Sequence, residues 1–201
     1  MMKSVDPSQL PEIENYKFLT GSIIPRPVAF VTTLSEAGVL NAAPFSYFNI
    51  VTANPPMISV SVQRFKGEMK DTARNAAWKK EFVVHISDES YIQDINETAK
   101  PLPANESELE LTNLTSVESE KVSVPAIGQA NIRMECVLEQ VATLGDGPSC
   151  DLLIGRVVQY HIREDLYEKG RINAAKLAPV SRLAGNNYSK LGEIFELVRP
   201  T

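Results

Sequence analysis

This 201-residue chain has little of the chemistry that most readily marks a site. It holds two cysteines, Cys136 and Cys150, two histidines, His85 and His161, and a single tryptophan. So few thiols and imidazoles argue against a dedicated zinc centre, and no metal ligand is expected. No C-x-x-C spacing joins the cysteines, so they read as small buried hydrophobes and not as a redox or disulfide pair. Positive charge is also short. Lys and Arg total 20 against 25 Asp and Glu, a formal net charge of −5. That balance argues against nonspecific nucleic-acid binding, which needs a positive face to offset phosphates. No apolar run approaches the roughly 20 residues of a membrane helix. The opening MMKSVDPSQLPEIENYKF has no apolar signal core, so a cytoplasmic protein without a membrane partner is expected. G-x-S-x-G, the P-loop, H-E-x-x-H and G-x-G-x-x-G are all missing. The glycines of GDGPSCDLLIG lack phosphate-loop spacing and read as a hairpin turn.

What is present is an ordinary globular composition, 43% hydrophobic and 22% charged, sufficient for one domain over 1–201. RPVAFVTTL (Arg26 to Leu34) reads as a strand, and VLNAAPFSYFNIV returns as a second that degrades into polar interruptions. PPMISVSV is a third, begun by prolines where a missing N–H does least harm. In KGEMKDTARNAAWKKEF the period changes. Asp71 is the N-cap candidate, and Ala73, Ala76, Ala77 and Trp78 favour a helix ending at Lys79 and Lys80. FVVHIS is another strand, and ESYIQDINETAK a short helix with Tyr91, Ile92 and Ile95 on one face. From Pro101 to Ser123 the chain reads as a polar excursion with one helical turn. ANIRMECVLEQVATL and SCDLLIGRVVQYHI are long strands with one wetted face, joined at GDGP. About six or seven strands in hairpin order predict a closed or partly closed antiparallel barrel, not a doubly wound sheet.

Two stretches carry possible chemistry. In NAAPFSYFN (Asn41 to Asn49), small residues let a flat ligand approach the backbone, Ser46 and Asn49 offer hydrogen bonds, and Tyr47 and Phe48 offer stacking surface. In KGEMKDTARN, Lys70 precedes a helix N-terminus and Thr72 adds a hydroxyl, with Arg64 and Lys66 nearby. Unpaired N–H groups there suit a phosphate. Each stretch also has a plain reading, as core aromatics and as a capped surface helix. An aromatic heterocycle with a phosphate tail would use both together.

The order of PRPVAFVTT, GVLNAAPFSYFN, NPPMISVSV, KDTARN, EFVVHI and SRLAGNNY resembles flavin reductase-like proteins over roughly Thr20 to Pro200. That family includes flavoredoxins and the reductase components of two-component monooxygenases, such as nitrilotriacetate monooxygenase component B. The resemblance implies a mainly β fold, an antiparallel Greek-key split β-barrel with a few peripheral helices, acting as a homodimer with FMN near the subunit interface. It implies cofactor contacts from Asn41, Ala43, Ser46, Tyr47, Phe48, Asn49 and Ser61, with Lys70, Asp71 and Thr72 at the phosphate end. Arg26, Arg182 and Tyr188 match elements expected at the substrate mouth. His85 stands where an asparagine is expected, with little consequence foreseen. The excursion from Pro101 to Ser123 is where substrate preference is expected to lie.

The activity this implies is hydride transfer from NADH or NADPH to flavin N5, which requires no side-chain acid or base, so no catalytic residue is named. Without a dinucleotide fingerprint, any nicotinamide site must be shallow and shared with the flavin. Two rivals remain: a flavoredoxin-like electron carrier with tightly bound FMN, and a binding module holding another ligand, such as haem, or a partner protein. A monooxygenase or electron-transfer partner fits the reductase and the electron-carrier readings.

Overall fold

The structure, a computed structural model, describes residues 1–200. It is mainly β, with one large antiparallel sheet and few helices. In chain order the elements are helix α1 (Glu12–Ser22), strands β1 (Arg26–Pro27), β2 (Ala29–Leu34), β3 (Leu40–Phe45), β4 (Phe48–Ala53) and β5 (Pro56–Gln63), helix α2 (Asp71–Lys79), strand β6 (Glu81–Ile86) and helix α3 (Ile92–Glu97). Then come the short strands β7 (Ser116–Val117) and β8 (Ala126–Ile127), and the long β9 (Ile132–Leu144) and β10 (Cys150–Ile162). A ribbon, β11 (Tyr167–Glu168) with β12 (Arg171–Ile172), helix α4 (Ala174–Leu177), and strands β13 (Val180–Arg182) and β14 (Tyr188–Lys190) complete the fold. No helix among the described residues is long and apolar enough to cross a membrane.

The central sheet has seven strands in the order β3-β2-β6-β9-β10-β5-β4. Its two edge strands, β3 and β4, are consecutive in sequence and separated only by Ser46 and Tyr47. Three residue steps span at most about 10 Å of extended chain. A flat sheet of this width would separate the same edges by about 29 Å, at roughly 4.8 Å per strand. The sheet must therefore roll until the end of β3 and the start of β4 come within that reach. No ladder pairs β3 with β4 among the described residues, so the roll stays unclosed along this seam. Of the closed or partly closed barrel expected, no closed form is found among the described residues, and one reading is corrected: the stretch read as one degrading strand is two strands, with the polar break as the seam. The Tyr47 carbonyl accepts the Ser61 N–H at 2.8 Å just beside it.

The inside of the roll is apolar. Val31 of β2, Val60 and Val62 of β5, Phe82 and Val84 of β6, Cys136 of β9 and Leu153 of β10 pack together, and α2 closes one side with Ala73 and Ala76. Phe30 faces the other way, into a second cluster with Tyr91, Ile95, Leu114 and Ile127. Strand β2 is thus buried on both faces, which accounts for its unbroken apolar and threonine run. Gly155 of β10 lies against Phe82, and a Cβ there would come within 2.3 Å of the ring.

Two polar groups in this core organise the surrounding chain. His85 is fully buried. Its Nδ1 lies 2.8 Å from the Phe30 carbonyl and its Nε2 accepts the Ile127 N–H at 2.9 Å. It therefore ties β6 to β2 and β8, a larger role than the sequence suggested. Burial lowers its pKa to about 4, so the ring is neutral, with the proton on Nδ1 facing the carbonyl. Glu135 of β9 accepts three successive backbone N–H groups, from Glu120, Lys121 and Val122, and its Oε1 lies 2.6 Å from His161 Nε2. Burial alone would raise this carboxyl's pKa, but those hydrogen bonds hold it below the ordinary value. The polar excursion is in this way clamped to the sheet.

Candidate functional site

The seam between β3 and β4, the start of α2, the exit from α3 and the C-terminal β13–β14 hairpin surround one groove. Helix α2 begins after Lys70, whose backbone is extended and whose side chain makes no capping bond. The expected cap, Asp71, is instead the first helical residue, and its carboxylate turns aside to an ion pair with Arg74. The first-turn N–H groups are left without a side-chain acceptor, as an anion-binding helix end requires. Lys70 makes no ion pair among the described residues.

A cavity of about 700 Å³ opens at this helix end. Asn41, Ala43, Pro44 and Phe45 of β3 line one side, and Lys70, Asp71 and Thr72 another. The α3 exit, Thr98 to Leu102, supplies the rest together with Phe65, Lys66, Glu68, Met69 and Glu108. A second cavity of about 360 Å³ shares Pro44, Phe45, Lys70 and Ala99 with the first. It is lined by Ser46 and Tyr47 of the seam, Ser61 and Gln63 of β5, and Tyr16, Thr20, Arg26, Arg182 and Tyr188. Helix end, seam and C-terminal hairpin therefore lie along one continuous groove.

The structure thus gathers Asn41, Ala43, Lys70, Asp71 and Thr72 at one end, and Ser46, Tyr47, Ser61, Arg26, Arg182 and Tyr188 at the other. Phe48 and Asn49 line neither cavity. Phe48 packs against the main core, and Asn49 is exposed with its side chain accepting the Ile50 N–H. Strand alternation explains the split, since neighbours on β4 face opposite ways.

Asn41 is gathered into the site but its side chain is turned inward. Its Nδ2 donates to Glu108 at 2.7 Å, and its Oδ1 accepts from the Thr72 hydroxyl at 2.8 Å and the Thr33 hydroxyl at 3.2 Å. The Ala42 N–H donates to the other Glu108 oxygen at 3.0 Å. This buried network fastens the start of α2 and the helical turn of the excursion to β3. Burial raises the Glu108 carboxyl above its ordinary pKa, against the bonds from Ala42 and Asn41. Burial likewise raises the Tyr47 phenol, with Tyr16 adding to the effect and Arg26 opposing it.

Sequence reasoning did not bring in α1, whose Tyr16 and Thr20 line the smaller cavity, nor Ala99, Lys100 and Glu108 of the larger. Helix α1 lacks a face to detect: Ile13, Tyr16, Phe18 and Leu19 are all exposed, and only Thr20 is buried. Glu108 had a faint signal, an acid within an ELEL turn of an otherwise weakly patterned segment.

Comparison with known proteins places this groove in context. The family model of the flavin reductase like domain matches residues 20–177. The uncharacterised protein YwrF of Bacillus subtilis strain 168 is 55% identical over 198 residues, covering 96% of this chain and 97% of its own. The crystal structure of nitrilotriacetate monooxygenase component B from Bacillus cereus superimposes with a TM-score of 0.97 at 67% identity, covering 98% of this chain and 99% of that one. A Shewanella frigidimarina structure named for a flavin reductase with a split barrel domain shares the fold at a TM-score of 0.85, with 16% identity and 96% of each chain covered. With the family model spanning most of the chain and a relative above half identity along nearly its whole length, the protein belongs to the flavin reductase like family.

Proposed function

We propose that this protein is an FMN-binding, NADH- or NADPH-dependent flavin reductase, a single-domain split barrel of Greek-key topology. The observation that carries the reading is the uncapped start of α2, with Lys70 beside it, opening on a groove that follows the barrel seam. The donor set fits the cofactor. Lys70 and the first-turn N–H groups of α2 would hold the phosphate. The Ser46 and Ser61 hydroxyls would meet polar edges of the ring, and Phe45 and Tyr47 would cover its apolar surface and exclude water. The raised Tyr47 phenol keeps its proton at working pH and so remains a donor. The flavin supplies the hydride-accepting centre, so no side chain of this chain is assigned an acid or base role.

The wider assignments belong to the same proposal. Ile13, Phe18 and Leu19 of α1, Ile50 and Val51 of β4, and Ile194, Phe195, Leu197 and Val198 near the C-terminus are each exposed. So much uncovered apolar surface supports a homodimer. A monooxygenase component as consumer of the reduced flavin, and a cytoplasmic setting, follow from the same family reading. The test is titration of the purified protein with FMN, followed by flavin fluorescence. Lys70→Ala should weaken binding about tenfold, in line with losing one charge-assisted hydrogen bond. Unchanged affinity would show that the phosphate sits elsewhere.

A further inference from the structure

Asp88, Glu108, Glu135 and Asp151 are buried acids with unequal support. Asp151 holds the Arg64 guanidinium, Glu135 collects three backbone N–H groups and His161, and Asp88 takes donors from Ser90 and Asn131. Glu108, only 7% exposed, has the sparsest support: the Ala42 N–H on one oxygen and the Asn41 amide on the other. It forms no ion pair among the described residues. A buried carboxylate with two neutral partners holds its charge poorly, and burial raises its pKa. Of the four acids it alone lines the larger cavity.

Asn41 links this acid to α2. Its Oδ1 accepts the Thr72 and Thr33 hydroxyls, so the Thr72 hydrogen points into the core although Thr72 lines the cavity at the helix end. A proton on either Glu108 oxygen would face a donor, the Ala42 N–H or the Asn41 amide N–H. An amide keeps nearly the same shape with its oxygen and nitrogen exchanged, so a flip of Asn41 relieves the clash. The carboxyl O–H then donates to Asn41 Oδ1, and the two Nδ2 hydrogens meet the Thr72 and Thr33 oxygens. The Ala42 N–H keeps its acceptor in both arrangements. The Thr33 hydroxyl, which also accepts from Asn75 at 3.3 Å, loses its own acceptor, so the flip needs the proton to drive it. The Thr72 hydrogen is released toward the cavity, where an anion at the start of α2 can accept it.

We propose that Glu108 is a positioning residue of the anion site: a proton on its carboxyl flips the Asn41 amide and turns the Thr72 hydroxyl from the core to the cavity. The identity of the anion, the FMN phosphate, rests on the flavin reductase reading, whereas the relay does not. The other charged groups around Glu108 are Lys66, Glu68, Lys70, Asp71 and Lys100 in the cavity, Glu106 and Glu110 on its own turn, Asp94 and Glu97 on α3, and Arg74 on α2; β3 has none. All of these reach solvent, and Glu108 alone is buried against Asn41. The test is calorimetric titration with FMN and, separately, with sulfate, from about pH 5 to 8, where a raised carboxyl titrates. Sulfate keeps its full charge throughout and should bind more tightly as pH falls, with uptake of a proton. For FMN the phosphate ester's own ionisation, near about pH 6, runs the other way but is common to parent and variants, so their difference is read. Glu108→Gln fixes the protonated arrangement, because its amide oxygen stays with the Ala42 N–H and its NH₂ faces Asn41 Oδ1. It should therefore bind FMN about tenfold more tightly than the parent at the alkaline end and lose the Glu108-linked pH response.

A Glu108→Gln variant that binds both anions more weakly at every pH would make Glu108 a structural support only and overturn the proposal. So would a parent-like pH response in Glu108→Gln, or one that survives in Thr72→Val, since the hydroxyl would then not carry it. Thr72→Ser should retain the response. If Glu108→Gln does not fold, proton uptake by the parent, read from binding heats in two buffers, and its loss in Thr72→Val decide the question. A pH-linked sulfate response in a protein that takes up no FMN sustains the relay and removes the flavin reading. FMN uptake with no Glu108-linked response does the reverse, and binding of neither anion overturns both.

Discussion

Replacing Asn41 tests whether the buried network beneath the larger cavity holds the start of α2 in place. Asn41 is 7% exposed, and its amide joins β3 to Glu108 and to Thr72. Asn41→Ala removes one hydrogen bond to a carboxylate, worth about 1.5–3 kcal/mol, and leaves the Thr72 hydroxyl without its acceptor, about 1 kcal/mol more. Allowing for partial relaxation, the loss should be about 3 kcal/mol. For a domain of this size that is a fall in Tm of about 9 °C. Asn41→Asp is the sharper variant, because it sets a second carboxylate against Glu108 where the amide donor stood. Two buried acids this close cannot both ionise, so the folded state takes up a proton that the unfolded chain does not hold. Its deficit should therefore be largest at neutral pH and shrink as pH falls into the carboxylate range. Thermal unfolding at a series of pH values reads both effects. A Tm for Asn41→Ala within about 2 °C of the parent, or a pH-independent deficit for Asn41→Asp, would refute the reasoning.

Other sites give independent checks. A Cβ at Gly155 would meet the buried Phe82 ring at 2.3 Å, so Gly155→Ala should cost about 1–3 kcal/mol by overpacking. Phe82→Leu in the same chain should recover part of that, which a double-mutant cycle in denaturant would show. His85, with a folded pKa of about 4 against an ordinary 6.5, contributes stability that is fully present above pH 6.5 and lost as pH falls through 4. The loss should approach about 3 kcal/mol, and His85→Gln should flatten that part of the stability profile.

Much of the fold was legible because local chemistry and tertiary environment agree. The β9–β10 hairpin is announced by two alternating runs around Gly145 and Gly147, both of which adopt positive φ. The α2 helix was placed within one residue, and the error is informative: a first-turn aspartate resembles a cap in sequence, but Asp71 pairs with Arg74 and leaves the helix end open. The seam was visible only as polar interruptions. Its meaning depends on Ser46 and Tyr47 joining opposite edges of one sheet, and no local pattern records that. Helix α1 escaped because its apolar residues ring the helix without marking a buried face. The site was legible in its residue types more than in their orientations. Lys70, Ser46, Tyr47 and Ser61 face the groove. Asn41 turns inward to Glu108, and Asn49 turns out to solvent. The Arg26–Arg182 pairing depends on two segments far apart in the chain and could not be read from either one.

The central claim is that the groove binds FMN and exposes it to reduction by a nicotinamide. The most direct measurement is the absorbance spectrum of the FMN-loaded protein, recorded without oxygen before and after NADH and then NADPH. The account predicts protein-bound oxidised flavin bands that bleach with at least one of the two nucleotides and return on admitting an acceptor. A protein that takes up no FMN, or one whose bound flavin neither nucleotide bleaches, would contradict it.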